Sequence, residues 1–161
     1  MSEKVQYVTL GVASELLAVC VDRVQEILDM RPISRLPQAP PGFLGMIDLR
    51  SQGVPVVDLR IKLGFPSADD TENTRIIVLT VPSGSEFLTL GLKADRVFEV
   101  TVLDEAELDP PPRIGAGWSS EAIAGIGRRN GAFVTVLDLE GLFASSEVKS
   151  LGDPAVADRA A

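Results

Sequence analysis

Apolar residues along this chain recur mostly at every second position, in short runs bounded by Gly, Pro, Asp and Ser. That period belongs to strands with one buried face, not to amphipathic helices. Val5 to Val12 reads as a first strand with Val8, Leu10 and Val12 on one face. After a Ser14-Glu15 turn, Leu16 to Val21 is a nearly continuous apolar strand. Asp22-Arg23-Val24 predicts a tight turn or a single helical turn, leading into Gln25 to Met30. Arg31 to Gly42 contains Pro32, Pro37, Pro40 and Pro41, which fix φ and remove backbone donors. It is therefore expected to be an extended loop wrapping the lobe. Phe43 to Leu49 and Gly53 to Val57 read as strands connected around Ser51-Gln52-Gly53. Asp58 reads as the N-cap of a short helix, Leu59 to Leu63, ended by Gly64 and Pro66.

The polar stretch Ser67 to Asn73 reads as a linker, after which the pattern restarts. Arg75 to Val81, Glu86 to Leu92 and Val97 to Val102 are strands rich in β-branched residues. A second Pro/Gly loop, Leu108 to Ser120, holds the only Trp, Trp118, expected either to plug a gap in the second lobe, the favoured reading, or to stand as an exposed interface anchor. Ile123 to Gly127 and Ala132 to Leu137 flank Asn130-Gly131, a type I′ hairpin signal, and a short helix starts at Asp138. From Ser145 the chain turns to Ala, Asp and Ser, and residues 145–161 are expected to form a flexible tail.

The order of these elements repeats. Asp22-Arg23-Val24-Gln25-Glu26-Ile27 returns as Asp95-Arg96-Val97-Phe98-Glu99-Val100. Gly45-Met46-Ile47-Asp48 with Val54 to Leu59 returns as Gly125-Ile126-Gly127-Arg128 with Phe133 to Leu139. Short strands in two matched sets predict an all-β fold of two small barrels, since closure removes the exposed edges that lobes this small would otherwise carry. The expected division is a first barrel over about 14–66 and a second over about 74–137. Segments 1–13 and 138–144 complete the packing of one domain over 1–144.

Composition narrows the function. Hydrophobic residues make up 45% of the chain, ample for a core. A net charge of -8 with no Lys/Arg run excludes nucleic acid as the expected partner, because the phosphate backbone would be repelled. The first residues lack a basic region followed by an apolar stretch, and no run reaches membrane-spanning length, so an intracellular soluble protein is expected. There is no His, which removes His-based nucleophilic systems, a His general base and His metal sites. The single Cys20 has no disulfide partner in the chain and reads as a small core residue. Gly125-x-Gly127 is followed by a strand, whereas a dinucleotide fingerprint needs a helix N-terminus there.

The repeated aspartates Asp22, Asp58, Asp95 and Asp138 remain as candidate chemistry. Paired acids serve general acid/base work or hold a cation. The competing reading is that each caps a turn or short helix. Their repetition favours capping, because an active site is seldom built twice in one small chain. Arg50, at the end of the Ile47 to Arg50 strand, offers a fork of donors to a carboxylate or serves to tie down the Pro-rich loop. Glu26 stands between Val24 and Ile27 at a possible sheet edge. It is either a solvated residue or the charge-selecting member of an edge that meets a partner helix.

Val24-Gln25-Glu26-Ile27, Leu36-Pro37-x-x-Pro40, Gly45 to Arg50 and Val54 to Arg60 together resemble the CheW coupling proteins of bacterial chemotaxis. Asp95-Arg96-Val97 and Val136 to Leu139 agree, and the resemblance covers about residues 5–144. It implies two five-stranded SH3-like barrels packed together with short helical segments. It also implies a non-catalytic cytoplasmic adaptor, without cofactor or metal, recruited to membrane-bound receptor arrays. The implied partners are the cytoplasmic helical hairpin of methyl-accepting chemoreceptors and the regulatory domain of a CheA-type histidine kinase. Receptor binding in the family uses the groove between the barrels, and the motif carries Val24, Glu26, Ile27, Gly45 and Arg50 across as candidate contacts. The alternative is a small-molecule, peptide- or cation-binding enzyme using the repeated aspartates. One departure bears on geometry: the family usually has Asn-Leu-Arg-Gly where this chain has Asp48-Leu49-Arg50-Ser51. Ser51 would be strained at φ > 0, so the hairpin is expected to shift its turn toward Gly53.

Overall fold

The computed structural model describes residues 5–111 and 121–143. It contains ten strands: β1 (Tyr7–Val12), β2 (Glu15–Cys20), β3 (Val24–Asp29), β4 (Phe43–Leu49), β5 (Gln52–Asp58), β6 (Arg75–Ser83), β7 (Glu86–Ala94), β8 (Arg96–Thr101), β9 (Ile123–Arg129) and β10 (Ala132–Leu137). A single 3₁₀ turn, Val21–Arg23, joins β2 to β3. Helices α1 (Leu59–Lys62) and α2 (Leu139–Leu142) follow β5 and β10. Trp118 and the 145–161 segment lie outside the described residues.

The strands form two five-stranded sheets, β3-β6-β7-β5-β4 and β8-β1-β2-β10-β9. Each sheet curls until the segment beyond one end strand meets the other end strand. In the first, Ser34 and Met46 exchange two backbone hydrogen bonds of 2.8 Å, tying the segment after β3 to β4. In the second, Asp109 and Ile126 do the same between the segment after β8 and β9. The all-β fold of paired SH3-like barrels therefore stands.

The division of the chain between them does not. β1 and β2 belong with β8, β9 and β10, while β6 and β7 belong with β3, β4 and β5. Position by position, β3, β6, β7, β5 and β4 of one barrel match β8, β1, β2, β10 and β9 of the other. Each repeat thus lends its leading hairpin to the barrel of the other, and boundaries at 14–66 and 74–137 cut through both. The reason is local. Only Asp95 separates β7 from β8. A reversal beside the preceding strand needs at least a two-residue turn, so β8 passes on to the other sheet. β1, expected as an accessory segment, accordingly lies between β8 and β2 inside the second sheet.

This exchange explains the continuous apolar runs. In β6, Ile76 and Val78 fill the first barrel, while Ile77, Leu79 and Val81 face a second core. That second core gathers Val8, Leu10, Val12, Leu17 and Val19 from one sheet with Leu90, Leu92 and Val57 from the other. Both faces of such strands are buried, and alternation gives way to unbroken hydrophobicity. Ala18, Leu103, Val134 and Val136 fill the second barrel. Cys20 is half-buried rather than part of a core.

Candidate interaction site

β3 ends its sheet and is hydrogen-bonded along its length only to β6. The register shifts between Val24↔Leu79 and Glu26↔Val78, so Gln25 is an extra residue opposite β6. Such a bulge twists an edge strand and re-aims its side chains. Val24 is half-buried and packs against the core shared by the barrels. Gln25, Ile27 and Asp29 are exposed, and Leu28 points inward. Gln25 donates through Nε2 to Thr80 Oγ1. Ile27 keeps 40% of its surface exposed, an apolar side chain offered to solvent from an edge strand.

Glu26 reaches the β4–β5 turn. Its Oε2 lies 2.7 Å from Arg50 Nη2, with 25% of the Glu26 side chain and 73% of the Arg50 side chain exposed. An ion pair this open contributes about 0–1 kcal/mol. Its effect is to orient the guanidinium rather than to hold the fold. Arg50 has φ 52° and Ser51 φ 67°, and Leu49 pairs directly with Gln52. The turn is therefore the two residues Arg50-Ser51, not a connection shifted toward Gly53, which is paired with Asp48 inside the ladder. The right-handed twist of the strands favours a two-residue turn with both φ positive strongly enough to hold Ser51 there.

Gly45 is buried, and a Cβ built on it would stand 2.2 Å from the Ser34 carbonyl oxygen. It lets the closing segment approach β4, so its influence on the site is one of shape. Val24, Glu26 and Ile27 thus share one edge with Arg50 reaching Glu26 from the β4–β5 turn, while Gly45 is buried on β4 against Ile33 and Ser34. None of the five lines a cleft of about 490 Å³ between the barrels, which is walled by Gly11, Glu15, Arg60, Thr74, Asp95 and Phe98 among others.

The second barrel carries a matching edge that residue-level reading missed. On β8, Phe98 and Val100 are more than half exposed. Glu99, the counterpart of Glu26, lies 3.5 Å from Arg129 Nε. Arg128 stacks over Phe133 at 4.7 Å from the ring centre. The available signal was the repeat itself, which aligns Glu26 with Glu99. Here the turn is Asn130-Gly131, both with positive φ. Asp104 accepts from both turn amides at 2.9 Å. The amides of Gly131 and then Asn130 hold its carboxyl below the usual range.

The repeated aspartates are mostly committed to backbone and ion-pair roles. Asp58, 2% exposed, accepts from Arg60 N at 3.0 Å, and Asp138 accepts from Gly141 N at 3.1 Å, each capping its helix. Asp95 is bound to Arg60 and Ala13. Asp22 is exposed in the 3₁₀ turn. Among the described residues, no group of three or more His, Cys, Asp or Glu side chains gathers as a metal site would require.

The model of the CheW-like domain matches residues 6–147. The chain belongs to the CheW-like family. A chemotaxis protein CheW of Treponema pallidum is 27% identical over 94% of this chain and 89% of its own length. One from Klebsiella aerogenes is 29% identical over 87% and 81%. The crystal structure of the scaffolding protein TtCheW from Thermoanaerobacter tengcongensis superposes with a TM-score of 0.79 at 26% identity, covering 90% of this chain and 96% of the other. The CheW-like fold therefore accounts for both barrels.

Proposed function

We propose that this chain is a non-catalytic chemotaxis adaptor that couples the cytoplasmic helical hairpin of a methyl-accepting chemoreceptor to the regulatory domain of a CheA-type kinase. The observation that carries the reading is the exposed β3 edge, which offers Ile27 on one face and the Glu26–Arg50 pair on the other, in a chain matched by the CheW-like domain over residues 6–147. An edge strand that carries both an exposed apolar side chain and an oriented charge pair suits the apolar stripe and charged flanks of a helical hairpin. Val24 supports the strand from within, Glu26 and Arg50 select charge, and Gly45 keeps the edge in place. The protein works in the cytoplasm, at receptor arrays. Among the described residues no helix is long and apolar enough to cross a membrane, which suits recruitment by protein contacts. The aspartates give no support to an enzymatic reading, since Asp58, Asp95 and Asp138 already serve backbone amides or Arg60.

The test is a pull-down with a receptor hairpin. Glu26→Arg and Arg50→Glu each weaken capture while the melting temperature stays close to that of the parent, because so exposed a pair contributes little to folding. Undiminished capture by both variants, or loss only in step with unfolding, refutes the site.

A further inference from the structure

The chain crosses between the barrels twice, at Val21–Arg23 and at Asp95. The repeat places Asp22 and Asp95 at matching points, and aligns Asp58-Leu59-Arg60 with Asp138-Leu139-Glu140. At the Asp95 crossing, Arg60 Nε donates to Asp95 Oδ1 at 2.8 Å and Arg60 Nη2 to Oδ2 at 2.7 Å. The amide of Ala13, in the β1–β2 turn, donates to the same Oδ2 at 2.7 Å. Asp95 N in turn donates to Gly11 O at 3.0 Å, and Arg60 Nη1 to Pro66 O at 3.2 Å. One carboxylate therefore joins α1 of the first barrel to a turn of the second, at the residue where the chain changes sheets. Ala13 has φ 53°, a backbone conformation that persists in a non-glycine residue only where the surroundings impose it.

Among the described residues the other crossing has no such lock. Its matching side chains are Asp22 and Glu140, two acids, which cannot form a fork. That unlocked crossing leads directly into Val24, Glu26 and Ile27 of β3. The apolar core between the barrels holds them together, but hydrophobic burial is non-directional. A planar guanidinium bound at two oxygens is directional.

We infer that the Arg60–Asp95 fork is a positioning pair that sets the angle between the two barrels and thereby places the β3 edge for its partner. The second half of this inference rests on the proposed receptor contact; the first does not.

The experiment measures the distance between spin labels on the full chain, in a Cys20→Ser background, with Glu86→Cys on the first barrel and Ala132→Cys on the second. Both positions are exposed. The parent gives one narrow distance distribution, and Asp22→Asn leaves it unchanged. Asp95→Asn and Arg60→Lys, the latter keeping the charge but not the fork, broaden or shift it. Arg60→Lys also guards against the case in which Asp95→Asn fails to fold. Receptor-hairpin affinity falls by about tenfold in Arg60→Lys, within the range by which packed networks modulate coupling. A parent-like distribution in Arg60→Lys and Asp95→Asn overturns the inference. Broadened distances with unchanged affinity overturn its second half alone. A parent chain that binds no receptor hairpin overturns the proposed function and leaves the distance result standing.

Discussion

Replacing Gly45 with Ala separates a residue that shapes the site from one that touches a partner. Gly45 has φ 144°, and an added Cβ would meet Ser34 O at 2.2 Å, Ser34 C at 2.8 Å and Ile33 Cγ2 at 2.9 Å. The obstacle is backbone, so the segment at Ile33 and Ser34 must withdraw. Both Ser34–Met46 hydrogen bonds would then be lost. Two such bonds contribute about 1 kcal/mol each, and a side chain at positive φ costs roughly 1–2 kcal/mol more. The reduced freedom of the unfolded chain returns about 0.4–1 kcal/mol. The net expectation is a loss of about 3 kcal/mol, a large share of the roughly 5–15 kcal/mol that holds a typical domain. Gly53→Ala is the control, because its Cβ would meet only Met46 Cε, the free end of a flexible side chain, at 3.0 Å. Its cost should stay within about 0.5 kcal/mol. Urea unfolding of the full chain gives both values as midpoint shifts at unchanged slope. A Gly45→Ala midpoint matching that of Gly53→Ala refutes the closure argument, and would return Gly45 to the surface as a contact.

Ser51→Gly removes the strain of a non-glycine residue at φ 67°. It should stabilise the chain by about 0.5–1 kcal/mol, the left-handed cost less the greater unfolded freedom of glycine, read as a higher melting temperature. Asp58→Ala and Asp138→Ala each remove a helix cap and should each cost about 1 kcal/mol in denaturant titrations, whereas a cation-binding role predicts altered metal affinity at unchanged stability. Acid should destabilise the fold through two carboxyls. Arg60 hydrogen bonding, with help from the Ala13 amide, lowers the Asp95 pKa against an opposing effect of burial, and the Gly131 and Asn130 amides lower that of Asp104. Since both folded values lie below the unfolded one, their contribution is complete above about pH 4 and is lost as pH falls through the folded values. Melting curves across that range should show a shallower acid limb in Asp95→Asn and Asp104→Asn, and limbs parallel to the parent refute the assignment.

Much of the site was legible at the level of residues, and little at the level of partners. Glu26 and Arg50 were each visible as charges with no evident structural duty, one on an edge strand and one at a strand end. That they meet at 2.7 Å depends on the closing of a barrel whose end strands, though consecutive in sequence, are laddered to different neighbours, β6 and β5. Ser51 misled in the other direction. Its residue type argues against a left-handed turn, but the twist of β4 and β5 imposes one. Phe98, Val100 and Phe133 read as ordinary strand residues because hydrophobicity alone does not say which face of a strand the next element covers.

The sequence by itself determined the strands, the caps at Asp58 and Asp138, the Asn130-Gly131 turn and the duplication, because each depends on residues a few positions apart. Tertiary structure alone decided which strands share a barrel. β1–β2 and β6–β7 carry the same alternation wherever they pack, so nothing in their own residues marks them as exchanged. The exchange follows from a crossing at Asp95 too short to reverse, and from strands apolar enough to be buried on both faces. The Asp95 crossing brings Arg60 to Asp95, whereas the repeat supplies two acids, Asp22 and Glu140, at the other, so the duplicated sequence folds into two like barrels with one such lock among the described residues.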